Sequence, residues 1–315
     1  MNLYVIVQII LLLLFAGPAC ATPKYEQMRD RGILVLYPAA YKEQARISLK
    51  MLLDSREEIA ARLQLPKETP VSAELVGDNS LFNEMVGNSS HLRILGVAYS
   101  PDGRIVINLA RLTMGGESNL YETLAHETAH VMLGQLEKEK QLRLSRWFHE
   151  GVACWLGRVL PDSPDDHRLE TAAIMNALIP FYTLEKGFPP FQEQSQLAYL
   201  QSEDFIRFIL KRHGQDSIAR VLRALENGES LDQGFMRALG IDVFEEEAVW
   251  ANSLKGGHPF LKLVYNNFTI LTVGALLTVV AFVCYRMKRR RILHRFDRDE
   301  QLAVEINIEE SADEN

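Results

Sequence analysis

The stretch LAHETAHVMLG, residues 124–134, contains the motif from which the fold of the surrounding chain can be predicted. His126 and His130 are four residues apart, so on an α-helix both imidazoles lie on one face and reach a single ion. Glu127 lies about 100° around the helix from His126, beside such an ion, where its carboxylate suits a base that acts on water. The pattern therefore predicts a metal site on a helix from about 120 to 136.

A third ligand has to come from elsewhere, because a catalytic zinc ion takes three protein ligands and keeps one position for water. Glu150 is the best candidate: it begins a second predicted helix, WFHEGVACWLG at 147–157. The residues between His130 and Glu150 are enough for one helix to end and an antiparallel neighbour to start. The alternative is that Glu150 only satisfies the N-terminal dipole of its helix.

Other residues of the second helix have less specific interpretations. His149 adjoins Glu150 but is expected on another face, as an ordinary surface histidine. Cys154 shares a face with Glu150 and is expected to be a small buried side chain rather than a ligand. Trp147 and Trp155 are expected to pack into the core. The groups that orient the ligand imidazoles stay unassigned.

The periodicity of the remaining sequence predicts an α+β fold with a mixed N-terminal sheet and a helical C-terminal part. Before the first motif, it predicts a strand at 32–40, a long helix at 41–65, a strand at 70–77 and a hairpin at 96–112 that turns at an Asp-Gly pair. After the second motif, it predicts helices at 197–213, 215–226, 229–239 and 243–254.

HETAH followed by WFHEGVA resembles the gluzincin zinc metallopeptidases, in particular the peptidase MA-like domain proteins, over roughly residues 30–254. Aminopeptidase-N-like enzymes have the same Glu-Gly-x-Ala after the third ligand. The resemblance implies a thermolysin/aminopeptidase-type catalytic domain that hydrolyses peptide bonds with Zn²⁺. It implies His126, His130 and Glu150 as zinc ligands and Glu127 as the general base.

The resemblance also bears on the type of peptidase. It implies that Tyr199, in AYLQS, donates a hydrogen bond to the oxyanion of the reaction; the alternative is an amphipathic core tyrosine. The Gly-x-Met-x-Asn stretch of aminopeptidases is not found between residues 85 and 120, so an enzyme that reads the free N-terminus is disfavoured. The hairpin strand GRIVINL, 103–109, is expected to pair with an extended peptide, which favours an endopeptidase.

Composition and cysteine content bear on two further questions: whether the chain binds nucleic acid and whether its central part contains a disulfide. The formal net charge of −7 makes nucleic acid an unexpected partner. Of the three cysteines, Cys20 and Cys284 lie in apolar terminal segments. Cys154 is therefore alone in the middle of the chain and has no disulfide partner there.

The two ends predict an exported, membrane-anchored protein. Residues 1–21 resemble a signal peptide cut after Ala21; an uncleaved anchor helix is the main alternative, and a lipoprotein through Cys20 is a weaker one. The uncharged segment 268–285 and the basic run after it predict one transmembrane helix. The expected order is a signal peptide (1–21), an extracytoplasmic peptidase domain (22–255), a juxtamembrane linker (256–267), the span (268–285) and a cytoplasmic tail (286–315).

Taken together, the sequence predicts a membrane-anchored zinc endopeptidase with peptide or protein substrates, in an extracytoplasmic compartment such as the bacterial periplasm. One alternative is a zinc-binding scaffold of the same fold that no longer cleaves. Another is a signalling protein in which the outer domain is a sensor and the C-terminal tail transmits the signal. Cleavage preference and oligomeric state stay open.

Overall fold

The computed structural model describes residues 25–87, 95–112, 116–157, 167–256 and 272–290. Its N-terminal part is a five-stranded mixed sheet in the order β1-β2-β3-β5-β4. The strands are β1 (Tyr25–Asp30), β2 (Ile33–Pro38), β3 (Val71–Val76), β4 (Gly96–Tyr99) and β5 (Arg104–Asn108). β2, β3 and β5 run parallel, and β1 and β4 join them as antiparallel edges.

Ten helices lie between residues 42 and 256 of the described chain, and a further helix covers 272–290. The ten are α1 (Lys42–Leu63), α2 (Asn79–Met85), α3 (Leu109–Leu112), α4 (Gly116–Lys140), α5 (Arg146–Gly157), α6 (Arg168–Ile174), α7 (Gln192–His213), α8 (Ser217–Ala224), α9 (Leu231–Leu239) and α10 (Val243–Gly256). Most of the sheet precedes most of the helices along the chain. The predicted α+β class, with a mixed sheet followed by a helical part, is therefore confirmed.

The main core lies between one face of the sheet and helices α1 and α4. Alternate residues of the three parallel strands point to this face, as the period of two in a strand requires. They pack against apolar side chains of both helices; the fully buried members include Ile33, Val35, Ala73, Ile105, Ile107, Leu52, Leu124 and Val131. Helix α4, which carries the first motif, is thus held directly against the sheet.

The edge strand of the described sheet next to α4 is the half-buried β4. β5 pairs with β3 on one side and with β4 on the other. The expectation that the strand at 103–109 pairs with a peptide is therefore wrong, because both of its edges are already occupied. β4 pairs only with β5 in the described sheet, so it is the strand that can accept an added partner.

Helix α5 lies between α4 and α7, and every residue from Trp147 to Gly157 is buried. α7 approaches closely because Gly151 has no side chain: a Cβ there would lie 2.5 Å from the backbone oxygen of Ser202. At the start of α5, Trp147 packs 4.7 Å from the ring of Phe181. This confirms the core role expected for Trp147 and gives the glycine of the second motif a packing reason.

The chain divides into two compact units. The first comprises Met1–Leu169 and Leu178–Asn252, and it contains the sheet and helices α1 to α5. The second comprises Glu170–Ala177 and Ser253–Asn315. Within the second unit, Nζ of Lys255 donates to Oδ1 of Asn176 at 3.1 Å.

The prediction of a single-pass membrane location is wrong for the described residues: none of their helices combines the length and the apolar character needed to cross a bilayer. The described helix over 272–290 includes the basic residues from Arg286 onward. The predicted signal peptide, 1–21, lies outside the described residues.

Candidate metal centre

Three side chains meet where α4 and α5 pack together. On α4, the Nε2 atoms of His126 and His130 are 3.1 Å apart. From α5, Oε2 of Glu150 lies 3.5 Å from Nε2 of His126 and 3.3 Å from Nε2 of His130. Only 1% of the Glu150 side chain is exposed. The carboxylate is therefore buried against the two histidines and is not a solvated group at the start of a helix. The structure brings together the three residues that the sequence nominates as ligands.

The spacing of these atoms fits a metal ion. Ligand atoms bound at about 2.0–2.1 Å in tetrahedral directions lie about 3.3 Å from one another, and the three separations are 3.1, 3.3 and 3.5 Å. Oε2 of Glu150 is buried and accepts no hydrogen bond from the described residues, which costs free energy unless a cation lies beside it. Two imidazoles and a carboxylate are also a ligand set of catalytic zinc sites.

The charges of the site favour a cation as well. Although burial opposes ionisation of Glu150, His130, His126 and the Arg146 guanidinium hold its pKa well below the usual range. Burial lowers the pKa of His130 to about 4, so this imidazole is neutral, as a metal ligand has to be. Burial also disfavours the charged form of His126, but contacts with Cys154 and Glu150 outweigh it and raise the pKa of His126.

Glu127 lies next to the ligands, on the side of the sheet edge. It is 7% exposed, and burial, assisted by repulsion from Glu150, raises its pKa to about 7. The backbone N–H of Ala98 in β4 donates to its carboxylate and limits that rise. β4 can come this close because Gly96 has no side chain: a Cβ there would lie only 3.0 Å from Cγ of Glu127. A carboxyl held in place with a near-neutral pKa can both accept and return a proton.

Tyr199 reaches the same site from α7. Burial, together with the charge of Glu150, raises the pKa of its hydroxyl, while a hydrogen bond with Arg146 opposes the rise. Its ring packs edge-on against Phe188 at 4.8 Å. The hydroxyl therefore stays protonated at neutral pH, close enough to Glu150 and Arg146 to interact with both.

Arg146 is a site residue that the sequence interpretation missed. Its guanidinium contacts Oε1 of Glu150, so that oxygen is held while Oε2 faces the two histidines. Arg146 precedes Glu150 by one helical turn, and the i,i+4 rule is the signal that identifies such a pair.

His149 was wrongly expected at the surface. It is 8% exposed, and its Nδ1 lies 3.1 Å from Nδ1 of His130. Its Nε2 lies 3.2 Å from Oε2 of Glu137 on α4. No spacing rule reveals this contact, because it depends on how α5 crosses α4. Cys154 is buried, as expected, and burial raises the pKa of its thiol.

A helix with two histidines and a glutamate, completed by a carboxylate from the next helix above a mixed sheet, defines a metallopeptidase-like fold and site. The family comparison agrees with this class. The Peptidase MA superfamily model matches residues 67–256, which run from just before β3 to the end of α10, and the chain belongs to that superfamily. The predicted resemblance to peptidase MA-like proteins is confirmed. A comparison with curated proteins found no match to the chain.

Proposed function

We propose that the chain is a zinc-dependent endopeptidase that hydrolyses peptide bonds of peptide or protein substrates. The observation that carries the proposal is the placement of Glu127 beside three converging ligand atoms, with a pKa of about 7. A site that only stabilised the fold would have no need of an oriented carboxylate next to its ligands.

His126, His130 and Glu150 would hold the ion through Nε2, Nε2 and Oε2. A bound zinc ion supplies a Lewis acid that lowers the pKa of water and polarises a carbonyl group. Arg146 contacts the second oxygen, Oε1, of Glu150, so Oε2 would be the oxygen left to bind the ion.

Glu127 moves the protons of the reaction. It takes a proton from the water whose oxygen attacks the carbonyl carbon, and it gives that proton to the amide nitrogen as the C–N bond breaks. The hydrogen bond from Ala98 fixes the direction of the carboxylate without removing its basicity. Both transfers use one side chain, so the base is restored at the end of the cycle.

Tyr199 would stabilise the developing oxyanion. Its raised pKa keeps the hydroxyl available as a donor, and its contact with Arg146 limits its rotation. A donor of this kind lowers the barrier by about 3 kcal/mol where it has been removed from other enzymes.

Strand β4 is the surface on which an extended substrate would lie. It is the edge of the described sheet next to Glu127, so a peptide added there by strand pairing places its backbone over the ligands. The sequence has no Gly-x-Met-x-Asn stretch between residues 85 and 120 to read a free amine. Cleavage within a chain, rather than at its N-terminus, follows from these two features.

The test is Glu127→Gln in the full chain, with zinc content measured alongside cleavage of an unbiased peptide library. We expect the rate to fall about 10²–10⁴-fold while one zinc ion per chain is retained. The matched control is Glu139→Gln, which makes the same change at an exposed position of the same helix and should leave the rate unchanged. Peptides blocked at both ends should be cut as well as free ones.

Two results contradict the proposal. Undiminished cleavage by Glu127→Gln would remove its role as the base. A wild-type chain that binds zinc but cuts nothing in the library would instead support the zinc-binding scaffold.

A further inference from the structure

His149 lies in a chain of polar contacts that ends at the ligand cluster. Its Nδ1 is 3.1 Å from Nδ1 of His130, and the two rings are inclined by 21° with centroids 5.4 Å apart. Its other nitrogen, Nε2, is 3.2 Å from Oε2 of Glu137. Both ring nitrogens of a buried histidine are thus engaged, one of them with a ligand residue.

Glu137 is itself fixed at the far end of this chain. Its Oε1 accepts the backbone N–H of Leu144 at 2.6 Å, while Oε2 faces His149. An ionised carboxylate can only accept hydrogen bonds, so the proton between Glu137 and His149 belongs on Nε2 of His149. When the ring of His149 carries one proton, that proton is on Nε2, and Nδ1 presents a lone pair to His130.

This arrangement determines where His130 carries its proton. One proton is needed between the two facing Nδ1 atoms, and with a lone pair on His149 it has to sit on His130. Nε2 of His130 is then unprotonated and points at Oε2 of Glu150 and Nε2 of His126, 3.3 and 3.1 Å away. The opposite tautomer would put a hydrogen on Nε2, where it would block a metal bond.

We propose that His149 is a positioning residue: it accepts the Nδ1 proton of His130 and, held by Glu137, fixes the tautomer and ring orientation in which His130 binds the metal. The inference rests on the metal site of the proposed function but not on hydrolysis. It gives α5 a second task, because adjacent residues of that helix supply the third ligand and orient a ligand of α4.

The experiment compares zinc affinity in the full chain for wild type, His149→Phe and His149→Asn, by competition with a chromophoric chelator. Phenylalanine keeps a flat ring but has no acceptor, and we expect the dissociation constant to rise about 10–100-fold, as when such outer partners are removed elsewhere. Asparagine keeps an acceptor oxygen near the position of Nδ1, so its dissociation constant should stay within about threefold of wild type. Thermal unfolding of the metal-free proteins, measured in parallel, separates lost packing from lost orientation.

A spectroscopic readout addresses the tautomers directly. The chain has only eight histidines, so two-bond ¹H–¹⁵N spectra of the zinc-loaded, histidine-labelled protein should resolve the ring of His149, identified by its disappearance in His149→Asn. We expect a proton on Nε2 of His149 and on Nδ1 of His130.

The outcomes are distinct. If wild type and His149→Phe bind zinc equally, or if His149 carries its proton on Nδ1, the inference is overturned and the proposed function stands. If His149→Asn is as weak as His149→Phe, the role is packing alone, and the inference is again wrong. If wild type binds no zinc, the metal site and the inference fail together; if it binds zinc as expected but cleaves nothing, only the hydrolytic proposal fails.

Discussion

Helices α4 and α5 contribute to the candidate site in different ways. α4 supplies two ligand nitrogens and Glu127 from within five consecutive residues, and its sequence identifies it at once. α5 supplies a single ligand, Glu150, but also Arg146 and His149, which contact Oε1 of Glu150 and Nδ1 of His130. The two histidines and Glu127 are on one helix, whereas the side chains that contact and orient the cluster are mostly on the other.

The difference shows why a short motif alone is weak grounds for a metal site. The residues of α4 could occur together on any amphipathic helix. What makes them a candidate centre is the buried neighbouring helix α5: its Glu150 lies 3.3–3.5 Å from both imidazoles, and its His149 contacts His130. Substitutions in α5 therefore test most directly how much each helix contributes to metal binding.

The largest effect is expected from Glu150→Gln. The amide keeps the size of the side chain but loses the negative charge that faces two imidazoles, so zinc affinity should fall more than about 100-fold, beyond the range for outer partners. Isothermal titration or chelator competition measures it, with Glu245→Gln, an exposed position on α10, as control. An affinity close to wild type would mean that α4 holds the ion without α5.

Gly151→Ala tests the packing of α5 rather than its polar groups. The new Cβ would meet Ser202 backbone atoms at 2.5 and 2.8 Å, so α7 has to move. We expect a loss of unfolding free energy of about 1–3 kcal/mol, measured by urea denaturation. Gly187→Ala, where nothing lies within 4 Å of the new atom, should change it by less than about 0.5 kcal/mol. Equal stability of the two variants would show that α7 yields without cost.

The smallest effect is expected from Arg146→Met. About half of this side chain is exposed, with a relative accessibility of 49%, so water can replace its hydrogen bond to Glu150. Zinc affinity should fall about 10-fold, at the lower end of the range for outer partners. Arg29→Met, at an exposed position on β1, is the control. A loss as large as that of Glu150→Gln would show that the guanidinium, and not only the carboxylate, holds the site together.

Much of the fold follows from periodicity, and its failures have local causes. The long helix and the strands of the main core were predicted because their apolar residues recur with the period of each element. Strand β1 was missed because YEQMRD is polar at the sheet edge. Its turn, Arg31-Gly32, has positive φ at both residues, 42° and 80°, although arginine is an unusual choice there.

The convergence of the three candidate ligands was easier to predict than their surroundings. Spacing along one helix points to His126 and His130, and the length of the connection points to Glu150. Contacts between helices depend on their crossing, which one sequence does not encode in any simple spacing; His149 is the example. The membrane prediction came from hydropathy alone, and none of the described helices is long and apolar enough to cross a bilayer.

The complete burial of α5 from Trp147 to Gly157 also bears on how the protein can change over time. A helix with an outward face can accumulate neutral substitutions there, whereas this one has no such face. Any substitution from Trp147 to Gly157 therefore alters a buried position, so we expect fewer exchanges to be tolerated there than on a helix with an exposed face.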